Sequence, residues 1–139
     1  MKKISIILVS FFFYTVAFAA EFAVIAHSAS SVKNLTPGEI KNLYLFEKLE
    51  LGGAGLKLAD NKGNDVVLKG FVKKIMGMDV SDYDRKRVEI TYAKGRSTKA
   101  LASDSDVIAF VKERSGNIGY VSKAAVTGDV VTLFSGSTD

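Results

Sequence analysis

The 139-residue sequence contains no cysteine, no tryptophan, one proline and one histidine. Without cysteine the chain has no disulfide framework, no thiolate nucleophile and no lipobox residue for an acyl anchor. The histidine, His27, stands directly beside Ser28. Because adjacent strand residues point to opposite faces, the two do not form a nucleophile and base pair.

The sequence also lacks the motifs of the common metal and cofactor sites. It contains no zinc-binding helix motif and no nucleophile elbow. The stretch "DNKGND" does not match a calcium loop, because Lys62 stands at the third position and Gly63 at the fourth. We therefore predict that the protein is not an enzyme and that it uses no cofactor and no metal.

Residues 1–19 have the features of an export signal. Lys2 and Lys3 precede an apolar run that ends in Ala17-Phe18-Ala19, with small residues where a signal peptidase cuts. The run is too short for a typical membrane span. We predict cleavage after Ala19, a single domain over residues 20–139 without a membrane anchor, and a periplasmic location.

The charge of the predicted mature chain is close to neutral. The formal charge of +4 falls to +2 once residues 1–19 are removed, because that segment carries two lysines and no acid. A charge this small gives no reason to expect a nucleic-acid or membrane partner.

Strand and helix patterns alternate along the rest of the chain. Residues 21–27 form a nearly continuous apolar run, typical of a strand whose sheet is covered on both faces. Thr36, Pro37 and Glu39 predict a capped helix start, and Asn64 or Asp65 a second. Further patterns predict strands at residues 55–60, 118–121 and 129–134, helices over about 81–92 and from 103 onward, and a frayed tail at 135–139. The alternation predicts a three-layer α/β/α sandwich with a mostly parallel or mixed sheet.

Three polar loops could bind an oxyanion such as phosphate or sulfate. An oxyanion held without metal needs amides, hydroxyls or a guanidinium group that converge where strands meet helices. An α/β sheet brings such loops to the carboxyl ends of its strands. The candidate ligands are Gly95, Arg96, Ser97 and Thr98 as the main group, with Ser28, Ser30 and Ser31 and with Asn61 and Lys62 as secondary groups.

Four segments together resemble a known family. They are "VIAHSASSVKNLTPGEIKNLYL", "LKLADNKGNDVVLKGFVKKIMGM", "YAKGRS" and "VIAFVKERSGNIGYV". In this order they are similar to small single-lobe relatives of the phosphate-binding proteins of ABC transporters, which have the type 2 periplasmic binding protein fold. The resemblance extends over about residues 22–125. It implies a periplasmic domain that binds inorganic phosphate or a similar oxyanion for ABC-type uptake or sensing, together with a membrane transporter or sensor.

An alternative function stays open at this point. Where phosphate binders of this family often have a Ser-Gly-Thr or Ser-x-Arg step, this chain has Asn64, Asp65 and Val66. A carboxylate there would repel an anion. The second hypothesis is therefore a periplasmic protein-interaction module that keeps the fold without a working anion site, and an exposed apolar patch near Tyr44 and Phe46 would support it.

Overall fold

The computed structural model describes residues 20–139, and the predicted export signal of residues 1–19 lies outside them. The strands are β1 (Glu21–His27), β2 (Glu50–Leu51), β3 (Ala54–Gly55), β4 (Lys57–Asn61), β5 (Lys99–Leu101), β6 (Asn117–Ser122) and β7 (Val130–Ser137). The helices are α1 (Pro37–Tyr44), α2 (Asp65–Phe71), which continues into a π-helical turn (Val72–Met76), α3 (Val80–Lys94) and α4 (Asp104–Glu113), with a short 3₁₀ turn (Lys123–Ala125).

Five strands form one mixed sheet in the order β5-β4-β6-β1-β7. Strand β4 is parallel to both β5 and β6, whereas β1 is antiparallel to β6 and β7. Ile118 of β6 pairs with Leu58 near the start of β4 and with Ala26 near the end of β1. Strands β1 and β4 therefore run in opposite directions, and their last residues lie at opposite ends of the sheet, measured along the strands.

Helices cover both faces of this sheet, which confirms the predicted α/β sandwich. Every residue from Phe22 to Ala26 of β1 is buried. Phe22, Val24 and Ala26 pack in one core with residues of α1, α2 and α3, while Ala23 and Ile25 pack in a second core with α4. The alternation follows from the two-residue period of a strand, and it explains the continuous apolar run. Among residues 20–139, no helix has both the length and the apolar character needed to cross a membrane.

Helix starts agree with the capping signals at α1, α2 and α4, where Ser103 is the cap, and differ at α3. Thr36 and Glu39 form the predicted capping box of α1, and the Asn64 side chain accepts a hydrogen bond from the Val67 amide at the start of α2. Helix α3 begins earlier than predicted, because Asp79 rather than Ser81 caps it by accepting from the Asp82 amide at 2.8 Å.

Two strand features were missed, and the prediction of a frayed tail was wrong for most of its residues. Strand β5 and the β2-β3 hairpin were not expected, since three-residue and two-residue strands leave little periodic pattern. The tail does not fray as a whole: β7 continues to Ser137 beside β1, and the Thr138 amide donates to the Ala20 carbonyl at 2.9 Å. Pairing with a strand more than a hundred residues away in the sequence orders it.

Phe71 lies at the centre of the larger core, and its replacement tests how much that core stabilises the fold. The ring is fully buried and stacks on Tyr120 with 3.8 Å between ring centroids. Phe71→Ala should lower the free energy of unfolding by about 3–5 kcal/mol, because it removes this packing and leaves a cavity. Urea denaturation measures the loss, and Phe71→Leu should show less than half of it. A loss below about 1 kcal/mol for the alanine variant would contradict this packing.

Candidate functional site

The candidate site is built around the buried carboxylate of Asp60, near the end of β4. Only 1% of Asp60 is exposed. Its Oδ1 accepts hydrogen bonds from the hydroxyls of Tyr83 and Tyr120, each at 2.7 Å, and its Oδ2 accepts one from the Thr98 hydroxyl. Burying a charged group is unfavourable unless hydrogen bonds replace its hydration. The three hydroxyls supply that replacement.

Strand and helix periodicity bring these groups together. Along β4, Leu58 belongs to the core that α1, α2 and α3 cover, and Asp60, two residues later, points to the same face. On α3, Arg87 follows Tyr83 by four residues, so both side chains lie on the same face of the helix. Asp60 therefore contacts α3 beside the short edge strand β5.

The phenols around Asp60 are held in the neutral form. Burial raises the pKa of Tyr44, Tyr83 and Tyr120 well above its ordinary value, and the nearby Asp60 charge raises it further. Tyr44 donates to the Ala59 carbonyl at 2.8 Å and so continues the hydroxyl cluster along β4. Neutral phenols remain donors, as the Asp60 carboxylate requires.

A cavity of about 410 Å³ opens beside Asp60. We call it the Asp60 cavity, and its lining residues are Asp60, Lys62, Asp84, Arg87, Val88, Thr91, Tyr92, Ser97 and Thr98. Two of the four charged groups neutralise each other at the rim, where Lys62 Nζ lies 2.8 Å from Asp84 Oδ1. The other two, Asp60 and Arg87, face the same space without forming an ion pair among the described residues.

Arg87 lines this cavity and carries two guanidinium donors without a partner. One nitrogen of its guanidinium group donates to the Tyr44 carbonyl, and the group stacks over the rings of Tyr83 and Phe46 at 5.1 and 5.8 Å from their centroids. Its Nε and Nη1 are buried and have no hydrogen-bond partner among residues 20–139. Most buried polar atoms in proteins are hydrogen-bonded, so two unpartnered donors on one side chain require an explanation.

A second polar cluster, on the other face of β4, is structural. Asn61 Nδ2 donates to Asp104 Oδ1 at 2.6 Å and to the Tyr120 carbonyl at 3.2 Å. Asn64 Nδ2 also contacts Asp104, at 3.3 Å from Oδ1. This cluster ties the end of β4 to the starts of α2 and α4. In the described part of the chain, no group of three or more metal-ligating side chains comes together.

The structure brings together some of the predicted ligands. Lys62, Ser97 and Thr98 line the Asp60 cavity, although Thr98 already donates to Asp60. Arg96 is exposed and lines a neighbouring groove on the other side of Ser97. Gly95 ends α3 with a φ of 64°, a conformation that favours glycine.

The expectation that all three polar loops meet at one edge of the sheet was wrong. Ser28, Ser30 and Ser31 follow β1, which is antiparallel to β6, whereas Lys62 follows β4, which is parallel to β6. The serines therefore lie at the opposite end of the strands from Lys62. The Ser30 hydroxyl donates to the Val32 carbonyl at 2.8 Å, and Ser31 donates to the Gly52 carbonyl at 3.4 Å. These serines stabilise the loop after β1.

Sequence reasoning missed the residues at the centre of the site. Asp60 stands at an inward-facing position of the strand that includes Leu58, which is an unusual place for a carboxylate and was the available signal. Arg87 lies one helical turn beyond Tyr83, and this spacing could have associated the two. No sequence pattern indicates that Asp60 or Arg87 lies near Tyr120.

Comparison with solved structures defines the class of fold. The chain superposes with a TM-score of 0.64 and 20% identity on a protein from Clostridium perfringens assigned as a phosphate ABC transporter substrate-binding protein, solved with bound phosphate. An ABC-type phosphate transport receptor from Vibrio cholerae gives 0.64 and 16%, and a protein from Planctomyces limnophilus assigned as phosphate-binding gives 0.57 and 13%. The chain therefore has the fold of phosphate-binding proteins of ABC transporters, as the sequence resemblance implied.

The match accounts for most of this chain and less than half of each neighbour. The superpositions cover 82%, 82% and 83% of this chain, but 44%, 45% and 42% of the neighbouring chains. The chain is thus a single-lobe relative in fold. No family model and no curated protein sequence matches it.

The raised pKa values of the three buried tyrosines predict loss of stability at high pH. Above about pH 10 the unfolded chain releases phenolic protons that the folded chain keeps, so the free energy of unfolding falls as the pH rises. Each tyrosine contributes a slope of up to about 1.4 kcal/mol per pH unit. Urea denaturation at several alkaline pH values measures the slope.

Tyr83→Phe is the matched variant for this measurement, because lysine titration is common to both proteins and cancels. It should reduce the slope by the share of one tyrosine. Equal slopes for the two proteins would show that Tyr83 ionises while the chain is folded.

Proposed function

We propose that this protein binds a small oxyanion, phosphate first, in the Asp60 cavity, and that it serves ABC-type uptake or sensing in the periplasm. The observation that supports this most directly is Arg87, which lines that cavity and whose buried Nε and Nη1 have no partner among the described residues. A planar guanidinium fork with two unpartnered donors suits phosphate oxygens, and the Arg87 side chain must turn toward the cavity to reach them. The fold shared with phosphate-binding proteins is consistent with this proposal.

The proposed ligand contacts combine donors with one acceptor. Arg87 and Lys62 donate to the anion, and the Ser97 hydroxyl lies on the same wall. Asp60 Oδ2 accepts one hydrogen bond from Thr98, which leaves it room to accept another. A protonated phosphate supplies that further donor, whereas sulfate at neutral pH carries no proton. The site should therefore prefer phosphate to sulfate.

Not all ligands predicted from the sequence belong to the proposed site. Arg96 stays a predicted ligand from the sequence, but it lines the neighbouring groove instead of the Asp60 cavity. Ser28, Ser30, Ser31 and Asn61 are not part of the proposed site, since the serines lie at the opposite edge and Asn61 binds Asp104.

Thermal unfolding of the protein with phosphate, sulfate or chloride, at matched ionic strength, tests the proposal. A ligand at about a hundred times its dissociation constant stabilises the folded chain by about 2.7 kcal/mol, which raises the melting temperature by several degrees in a domain of this size. We expect this shift with phosphate and a much smaller one with sulfate. Equal, small shifts with all three anions would contradict the proposal.

Two variants and one control locate the site. Arg87→Lys should abolish the phosphate shift, because it removes the guanidinium fork. Asp84→Asn should strengthen phosphate binding by about 0.2–1 kcal/mol, because Asp84 is exposed and its loss frees Lys62. The control, Arg96→Ala, should leave the shift unchanged. Loss of the shift in Arg96→Ala alone would instead assign the anion to the neighbouring groove.

A second candidate function, a periplasmic module that docks on a partner protein, is favoured by a different observation. The patch first expected near Tyr44 and Phe46 is absent, since 0% and 7% of these residues are exposed. Val88 and Tyr92, one turn apart on α3 at the mouth of the Asp60 cavity, are instead 58% and 89% exposed. Large exposed apolar side chains of this kind are typical of contact surfaces.

A further inference from the structure

The neighbouring groove that Arg96 lines has a volume of about 390 Å³ and carries an excess of positive charge. Its lining includes one carboxylate, Glu113, and four cations, which are Lys57, Arg96, Lys99 and Arg114. None of these five groups forms a salt bridge within residues 20–139. Helices α3 and α4 end next to this groove, and each helix end offsets about half a positive charge. The groove therefore keeps a net positive charge that the described residues do not neutralise.

The cations of this groove are accessible to a ligand. Lys57, Arg96 and Lys99 are exposed, while Arg114, also exposed, donates to the Gly55 carbonyl at 3.2 Å. A single exposed contact with an ion is weak and is screened by salt, so an anion as small as one phosphate gains little here. An anion that carries charges along a chain contacts several cations at once, and these contacts reinforce one another. The groove therefore favours a multivalent anion.

This groove and the Asp60 cavity meet at one exposed residue. Ser97 lines both, with Thr98 and its hydrogen bond to Asp60 on one side and Arg96 on the other. A ligand that extends out of the Asp60 cavity past Ser97 enters the groove. The segment that the sequence predicted as the main anion-binding group therefore borders both surfaces.

From these observations we propose that the ligand of the Asp60 cavity is a condensed phosphate, a chain of phosphoryl groups joined by phosphoanhydride bonds. Its terminal group occupies the cavity, and the remaining groups lie in the neighbouring groove against Arg96 and Lys99. The terminal group suits Asp60 because its second proton dissociates near neutral pH, as in a phosphate monoester, whereas an internal group has no such proton. Each further group adds a negative charge that the groove attracts. The inference rests on the proposed oxyanion function and names the ligand class, with free phosphate as a minimal ligand that uses the cavity alone.

Calorimetric titration with phosphate, pyrophosphate and tripolyphosphate, at matched ionic strength and without divalent metal ions, tests the proposal. We expect one ligand per chain and an affinity that rises with chain length, at least about tenfold from phosphate to tripolyphosphate. Adenosine triphosphate distinguishes the source of the phosphoryl chain. Tighter binding than tripolyphosphate assigns the site to a nucleotide, and equal or weaker binding assigns it to an inorganic chain.

Two double variants locate the added affinity. Arg96→Gln/Lys99→Gln should remove most of the advantage of tripolyphosphate and leave the affinity for phosphate within about twofold, which also shows that the fold is intact. The matched control is Lys73→Gln/Lys74→Gln, which makes the same change in net charge at two exposed lysines that line neither surface. It should keep the advantage. Arg87→Lys should weaken the binding of phosphate and tripolyphosphate alike.

The results that would overturn this inference differ from those that contradict the proposed function. Equal affinities for phosphate and tripolyphosphate would overturn the inference and leave oxyanion binding in the Asp60 cavity standing. Equal losses from the two double variants would do the same, because net charge alone would then explain the affinity. Tripolyphosphate binding that Arg87→Lys does not weaken would show that the chain stays outside the cavity. Absence of phosphate binding by the unchanged protein, by contrast, contradicts the proposed function itself.

Discussion

The buried carboxylate of Asp60 is the constraint on which much of this structure depends. A charge with 1% exposure requires hydrogen-bond donors, and the chain supplies them from α3, from β6 and from the segment before β5. These contacts link β4 to α3, to β6 and to the segment before β5. Replacing any one donor by an apolar group would remove one hydrogen bond from the carboxylate and so destabilise the fold.

This network also separates two surfaces with different electrostatic character. In the Asp60 cavity two cations face two carboxylates, and the unused donors of Arg87 are its distinctive feature. In the neighbouring groove that Arg96 lines, four cations face one carboxylate. Ser97 lies on the boundary of both.

Local chemistry explains which elements could be predicted. The apolar run of β1, the capping box at Thr36 and Glu39, and the Asn64 cap are interactions between near neighbours in the sequence, and all three are confirmed. Strand β5 and the last residues of β7 depend on distant partners, β4 and β1, and no local pattern announces them. The similarity in fold to phosphate-binding proteins is what the resemblance of the four sequence segments implied.

The sequence by itself determined that the chain forms a covered α/β sheet, and it named polar loops that follow the strands. Only the tertiary structure decided which loops meet. The antiparallel direction of β1 sends Ser28 and its neighbours to one edge of the sheet, while Lys62, Ser97 and Thr98 gather at Asp60. Strand direction depends on backbone pairing between segments about a hundred residues apart, and burial of Asp60 depends on three separate elements. Neither dependence leaves a periodic mark in the sequence, which is why the loops were predicted and the centre of the site was not.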